Sequence, residues 1–274
     1  MTMRRAESTA CLSFRAGGAH EAMRALPEEV PVALSYNGST QAVMMATPAD
    51  LEDFALGFSL TEGLIAGPAE IEGLEIVELD RGIEARIWLA EDRAAALAAR
   101  RRAMAGPVGC GLCGIDSIEQ ALRPLAALPA STLRLTPADV LAACAGLRAA
   151  QPLHDQTRAT HAAGFYRPGA GLVLAREDVG RHNALDKLVG ALSRAGIAPE
   201  TGAVVLTSRV SIEMVQKCAA LGAPVLIAAS APTAQALRLA ETAGLTLAAL
   251  VRDEGFTLFS HPDRIASSEA QNVA

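Results

Sequence analysis

The chain has 274 residues, 51% of them hydrophobic and 20% charged, and carries a formal net charge of -6. That allows one large or two moderate domains around a sizeable core. It argues against a general nucleic-acid binder, which needs a basic field along the phosphates, because no basic run exceeds Arg100-Arg101-Arg102. No apolar stretch of about 18 or more residues is free of Gly, Pro and charge, and no apolar block follows the N-terminal residues, so neither a membrane helix nor a signal peptide is expected. The expected location is cytoplasmic. Of five cysteines, Cys11, Cys144 and Cys218 are isolated, which rules out a disulfide framework, and Cys218 reads as core.

Residues 1–28 have weak periodicity and read as a poorly ordered lead-in. From Val30 to Ala46 two β-prone runs flank Asn37-Gly38, the dipeptide best suited to a tight hairpin turn. Thr47-Pro48-Ala49-Asp50 offers a cap, a first-turn proline and an acid, predicting a helix to about Glu62. Strands follow at Leu74 to Leu79 and Ile83 to Leu89, then a helix from Glu91 to Met104. Residues 29–121 therefore read as an N-terminal α+β subdomain. Leu122 to Leu135 is punctuated by proline and connects to a helix capped by Thr136-Pro137. Beyond it, strands (Ala159 to Tyr166, Leu172 to Ala175, Ala203 to Thr207, Val225 to Ala229, Leu245 to Val251, Phe256 to Ser260) alternate with helices (Asn183 to Arg194, Ile212 to Leu221, Thr233 to Ala243). Such alternation predicts an α/β unit over 122–274, with a mainly parallel sheet and helices on both faces.

Cys110 and Cys113 sit in Gly109-Cys110-Gly111-Leu112-Cys113-Gly114. Glycines free the backbone to present thiols to another molecule. Asp116 and Glu119 predict a helix from Ser117 to Leu122, whose positive end would lower a thiol pKa. Four readings stand: persulfide carrier, dithiol redox site, half a zinc site, or inert thiols. A zinc ribbon needs a second ligand pair, and the five histidines are scattered along the chain. A zinc deaminase needs a His-x-Glu segment, which is absent.

Glu177-Asp178-Val179-Gly180-Arg181-His182-Asn183-Ala184-Leu185-Asp186-Lys187 crowds polar groups at a strand-to-helix junction. His182 and Asp186 would share one helix face and Asn183 and Lys187 another, suiting proton transfer or phosphate binding; solvated charges behind a helix N-terminus are the plainer reading. The junctions Thr207-Ser208-Arg209 and Ser230-Ala231-Pro232-Thr233 each follow a buried strand, where helix ends suit phosphates and Arg209 adds donors, although ordinary caps explain the hydroxyls. Phe256 and Phe259 read as core, with stacking on a purine as the sharper alternative.

Taken together, five separated motifs resemble the formate dehydrogenase accessory sulfurtransferases (FdhD): the cysteine loop, Thr160-His161-Ala162-Ala163, the Glu177 to Lys187 run, Ser208-Arg209 with Glu213 to Lys217, and Ser230 to Thr233. The resemblance covers most of the chain. It implies a sulfurtransferase that takes persulfide sulfur from a cysteine desulfurase and delivers it to molybdenum bis(molybdopterin guanine dinucleotide), bound as cargo, for a client formate dehydrogenase. It further implies that Cys110 bears the persulfide with Cys113 as its partner. Phe256, Thr257, Leu258, Phe259, Ser260 and His261 match the cofactor-binding stretch, beside Arg209 and Ser230. A cytidine-deaminase-like fold and a homodimer are implied as well. No tightly bound protein metal, nucleic acid or membrane partner is expected.

Overall fold

The computed structural model describes residues 4–90, Arg93 and residues 125–266. Apart from Arg93, the predicted helix from Glu91 to Met104 lies outside them, as do the Cys110/Cys113 loop and the helix after Asp116. Asn37 and Gly38 both take positive φ (47° and 77°), joining β3 (Val30–Tyr36) to β4 (Ser39–Ala46) as their sequence requires. With β5 (Ile71–Leu79) and β6 (Gly82–Leu89) they form a four-stranded sheet in the order β4-β3-β6-β5, parallel only between β3 and β6. The inward residues Val32, Leu34, Tyr36, Ile83, Ala85 and Ile87 pack against Leu51, Phe54, Ala55 and Phe58 of α1 (Leu51–Thr61). Alternate strand residues thus bury one face, and helical spacing supplies its cover.

Two expectations for this half need correction. Residues 6–27 are not a loose lead-in: β1 (Ala6–Arg15) and β2 (Gly18–Pro27) form an antiparallel hairpin across a two-residue turn at Ala16-Gly17. Its apolar side chains Leu12, Phe14 and Met23 are exposed, so the ladder of backbone hydrogen bonds, and no buried stripe, defines it. Helix α1 begins at Leu51, because Thr47 is claimed by partners distant in sequence. Its N–H donates to Asp178 at 3.0 Å, its hydroxyl accepts from the Val179 N–H at 3.2 Å and its carbonyl accepts from Lys187 at 2.9 Å.

The second sheet runs β12-β11-β10-β9-β7-β8. Its strands are β7 (His161–Arg167), β8 (Gly171–Asp178), β9 (Ala203–Leu206), β10 (Val225–Ala228), β11 (Thr246–Arg252) and β12 (Gly255–Ser260). The helices are α2 (Pro137–Ala149), α3 (Pro152–Thr157), α4 (Arg181–Arg194), α5 (Ile212–Leu221) and α6 (Ala234–Ala243). Helix α2 starts with the expected cap, Thr136 and Asp139 exchanging bonds. The sheet is mixed, not mainly parallel: β9-β10-β11 are parallel, whereas β7-β8, β7-β9 and β11-β12 are antiparallel. Only the strands joined by helical crossovers can run parallel; the tight turns at Pro168-Gly169 and after Arg252 reverse the chain. Helices do cover both faces. Val204, Leu206 and Leu226 pack toward α4, α5 and α6, while Ala203, Val205, Val225 and Ile227 pack toward α2. No helix among the described residues is long and apolar enough to cross a membrane.

Helices α1 and α4 join the two sheets through a backbone-to-backbone contact. A Cβ at Gly57 would sit 1.8 Å from the Asp186 carbonyl oxygen, and one at Gly190 would sit 1.9 Å from that of Asp53. Only glycine fits at either position. Around the crossing, Asp53 accepts from Arg176 (2.7 and 2.9 Å) and from Arg194 (2.9 Å). Lys217 reaches Asp186 (2.9 Å), Thr61 (2.9 Å) and Glu62 (3.0 Å). Burial opposes the Lys217 charge most strongly, yet the carboxylates of Asp186 and Glu62 outweigh it and hold the ammonium above its ordinary pKa.

Candidate functional site at the carboxyl edge of the mixed sheet

Because β7 is antiparallel to β9, the start of β7 and the ends of β8, β9 and β10 meet at one edge. Thr207 fastens the meeting: its N–H donates to the Ala162 carbonyl at 3.1 Å and its hydroxyl accepts from the Ala162 N–H at 2.9 Å. Above this edge, on the α2 face, lies a cavity of about 500 Å³. Its walls are Cys144, Leu147 and Arg148 of α2, Gln151 at the start of α3, His154 of α3 and the segment Arg158 to His161; Leu206, Thr207 and Ala229 form its floor. A cavity of this size takes a small ligand, and its side chains bias it toward anions. Arg148 and Arg158 both approach Asp155, at 2.5 and 3.8 Å, which leaves two guanidiniums against one carboxylate.

The cavity's titratable groups differ in state. Burial, then Arg181 and His154, push the His161 pKa below its ordinary value, so the ring is neutral near pH 7. Burial drives the Cys144 thiol up to about 11; it stays protonated and is a poor nucleophile. The His154 Nδ1 lies 3.0 Å from the Thr160 carbonyl, which can only accept, so Nδ1 carries the proton and Nε2 remains for other contacts. Beside the cavity, His182 Nε2 meets Glu213 at 2.8 Å, and Glu213 is lowered to about 2 by that bond.

The Glu177 to Lys187 run divides sharply. Asp178, Asn183, Asp186 and Lys187 are buried, so neither a phosphate site nor a set of solvated charges describes them. Lys187 Nζ meets Asp178 at 2.6 Å with both side chains fully buried, and Asn183 bridges Asp178 (3.0 Å) and the Met45 carbonyl (2.8 Å). Burial pulls the Lys187 pKa down, while Asp178 opposes the fall. Glu177 turns toward the cavity wall: it accepts from the N–H groups of Leu153 and His154, both at 2.8 Å, and from the Thr160 hydroxyl at 3.2 Å.

The sequence-predicted site residues are partly gathered. Cys110 and Cys113 lie outside the described residues. The junctions after β9 and β10 are stitched together, the Val210 N–H donating to Ala231 at 3.2 Å and the Thr233 N–H to Val210 at 3.0 Å, so Arg209, which is exposed, and Ser230 share the carboxyl edge. Arg252 joins them by donating to the Ala229 carbonyl. Strand β12 runs away from this edge. Phe256 begins close to it, opposite the end of β11; Thr257 is exposed, and Leu258 and Phe259 pack toward opposite faces. Ser260 and His261 reach the far edge, where the Ser260 hydroxyl donates to Leu245 at 2.7 Å and the His261 ring meets the Glu241 carbonyl at 2.8 Å. Arg148, His154 and Arg158 were not singled out by the sequence. Histidines scattered along the chain are brought together: His154, Arg181 and His182 all act electrostatically on His161. Among the described residues no cluster of three or more His, Cys, Asp or Glu could hold a metal ion.

The fold is an α/β layer structure with a cavity at one sheet edge, whose wall carries Arg148, Arg158, His154 and His161. The family model of the FdhD/NarQ family matches residues 27–266, and the chain belongs to that family. Proteins named sulfur carrier protein FdhD are similar over nearly the full length. That of Agrobacterium fabrum is 57% identical over 92% of this chain and 93% of its own length. That of Brucella abortus is 60% identical over 94% and 96%. A crystal structure of a candidate formate dehydrogenase accessory protein from Desulfotalea psychrophila superposes with a TM-score of 0.76 at 28% identity, covering 96% of this chain and all of that one.

Proposed function

We propose that this protein is a sulfur carrier in formate dehydrogenase maturation, moving persulfide sulfur on Cys110 from a cysteine desulfurase to molybdenum bis(molybdopterin guanine dinucleotide). The observation that carries the reading is near-full-length identity of 57% and 60% to proteins named as sulfur carriers. A glycine-flanked cysteine pair in this chain supplies the chemistry. The Cys110 thiolate attacks the terminal sulfur of the desulfurase persulfide; a new S–S bond forms on Cys110 as the old one breaks, and the desulfurase cysteine leaves as thiolate. Cys113 is the partner thiol. The cargo is a substrate with guanine nucleotide arms, and one arm suits the carboxyl-edge cavity, whose Arg148 and Arg158 match a diphosphate. Arg209, Ser230 and Phe256 at the same edge belong to this assignment. A homodimer, a cytoplasmic location and a cytidine-deaminase-like α/β unit are parts of the same proposal.

The test is intact mass after incubation with a cysteine desulfurase and cysteine. Wild type should gain about one sulfur atom, reversed by reductant, and Cys110→Ala should gain none. No gain by wild type with an active desulfurase overturns the sulfur-carrier reading and leaves a chaperone for the same cargo or a thiol-disulfide oxidoreductase.

A further inference from the structure

Helix α3 has six residues and no side-chain cap of its own. A helix that short is marginal by itself, because few bonds offset the ordering of its backbone. It is held instead from outside. Both oxygens of Glu177, at the end of β8, accept from its first turn: Oε2 from the Leu153 N–H and Oε1 from the His154 N–H, each at 2.8 Å. The Thr160 hydroxyl donates to the same Oε1 at 3.2 Å. The His154 ring closes the loop on the Thr160 carbonyl at 3.0 Å. One carboxylate therefore ties the start of α3 to the residue before β7, and His154, Arg158, Thr160 and His161 of the cavity wall all belong to the tied segment.

From this arrangement we infer that Glu177 is a positioning residue for the cavity ligand: it touches no ligand, and it sets the wall that does. Without the carboxylate, two backbone donors and a hydroxyl lose their acceptor, and the His154 ring loses the fixed Thr160 carbonyl that sets its tautomer. The segment then explores several placements, and the ligand must order it on binding, which weakens affinity. The role rests on the assignment of the cavity to a nucleotide arm.

The experiment is calorimetric titration of the full chain with guanosine diphosphate, for wild type, Glu177→Ala, Glu177→Gln and Tyr36→Phe. Tyr36 donates to or accepts from Ser59 at 2.7 Å in the other sheet's core and serves as a stability control remote from the cavity. Wild type should bind. Glu177→Ala should bind about tenfold more weakly, equivalent to about one charge-assisted hydrogen bond, with Glu177→Gln between the two because its amide oxygen still accepts from one donor. Tyr36→Phe should lower the melting temperature and leave affinity unchanged. If wild type binds and both Glu177 variants match it, the positioning role is wrong. An affinity loss in Tyr36→Phe proportional to its loss of stability would also overturn it. Absence of binding by wild type overturns the cavity assignment itself. Should Glu177→Ala fail to fold, the Glu177→Gln comparison decides.

Discussion

Two clusters of charge approach one another where His161 pairs with Asp178 across β7 and β8, and they behave as opposites. Asp178 and Lys187 are sealed between the sheets: Asp178 accepts from the N–H groups of Thr47 and Gly180 and from Asn183, and Lys187 donates to the Thr47 carbonyl and to Asp178. Arg148, His154, Arg158 and His161 line an open cavity with a surplus of positive charge. Charge count does not separate them; the number of fixed partners does. A paired and satisfied ion is part of the packing, whereas a surplus cation beside a void is available to a ligand.

The largest expected effect lies in the sealed cluster. Lys187→Ala strands the Asp178 carboxylate and should cost about 3–5 kcal/mol in urea unfolding, the usual penalty for breaking a buried pair. A loss below about 1 kcal/mol would mean that water reaches this pair and would erase the contrast. In the open cluster the effects should reverse in kind. The double variant Arg148→Gln, Arg158→Gln should weaken binding of guanosine diphosphate by about tenfold or more while unfolding like wild type, since both guanidiniums are largely exposed. Equal binding would move the ligand elsewhere on the edge.

The smallest effect concerns acid. Glu213 titrates at about 2 against an ordinary value of 4.5, through its bond to His182. A lowered carboxylate pKa adds stability that is present above 4.5 and is lost as pH falls toward 2. Glu213→Gln should therefore flatten the fall of melting temperature between those values. An unchanged acid limb would assign the pH dependence to other carboxylates.

What the sequence made legible was local. Asn37-Gly38 specified a turn because positive φ at both positions is easy only for such residues, and Thr136-Pro137 with Asp139 specified a helix start. Thr47 carried equally good capping chemistry and misled, because its bonds go to residues more than 130 positions away. Strand direction was misread for a related reason. Pro168-Gly169 reads as a turn between two strands in the sequence, but alternation of strands and helices counts crossovers and does not say that such reversals make the sheet mixed. The cavity was hidden because its residues come from five segments, each ordinary alone. Glu177 looked like its neighbours Asp178 and Asp186, and only the fold shows that one faces a helix end and the others a packed interface.

The crossing of α1 and α4 at Gly57 and Gly190 has a mechanical consequence. Helices separated by side chains can slide, trading one rotamer for another over small distances. Where backbone rests on backbone, no such cushion exists, and a shift by one residue would drive a methyl group into a carbonyl oxygen. The two sheets are thereby keyed to each other as a lock to its case. The carboxyl edge is thereby mounted on a rigid frame, and any accommodation there has to come from the segments that the frame carries.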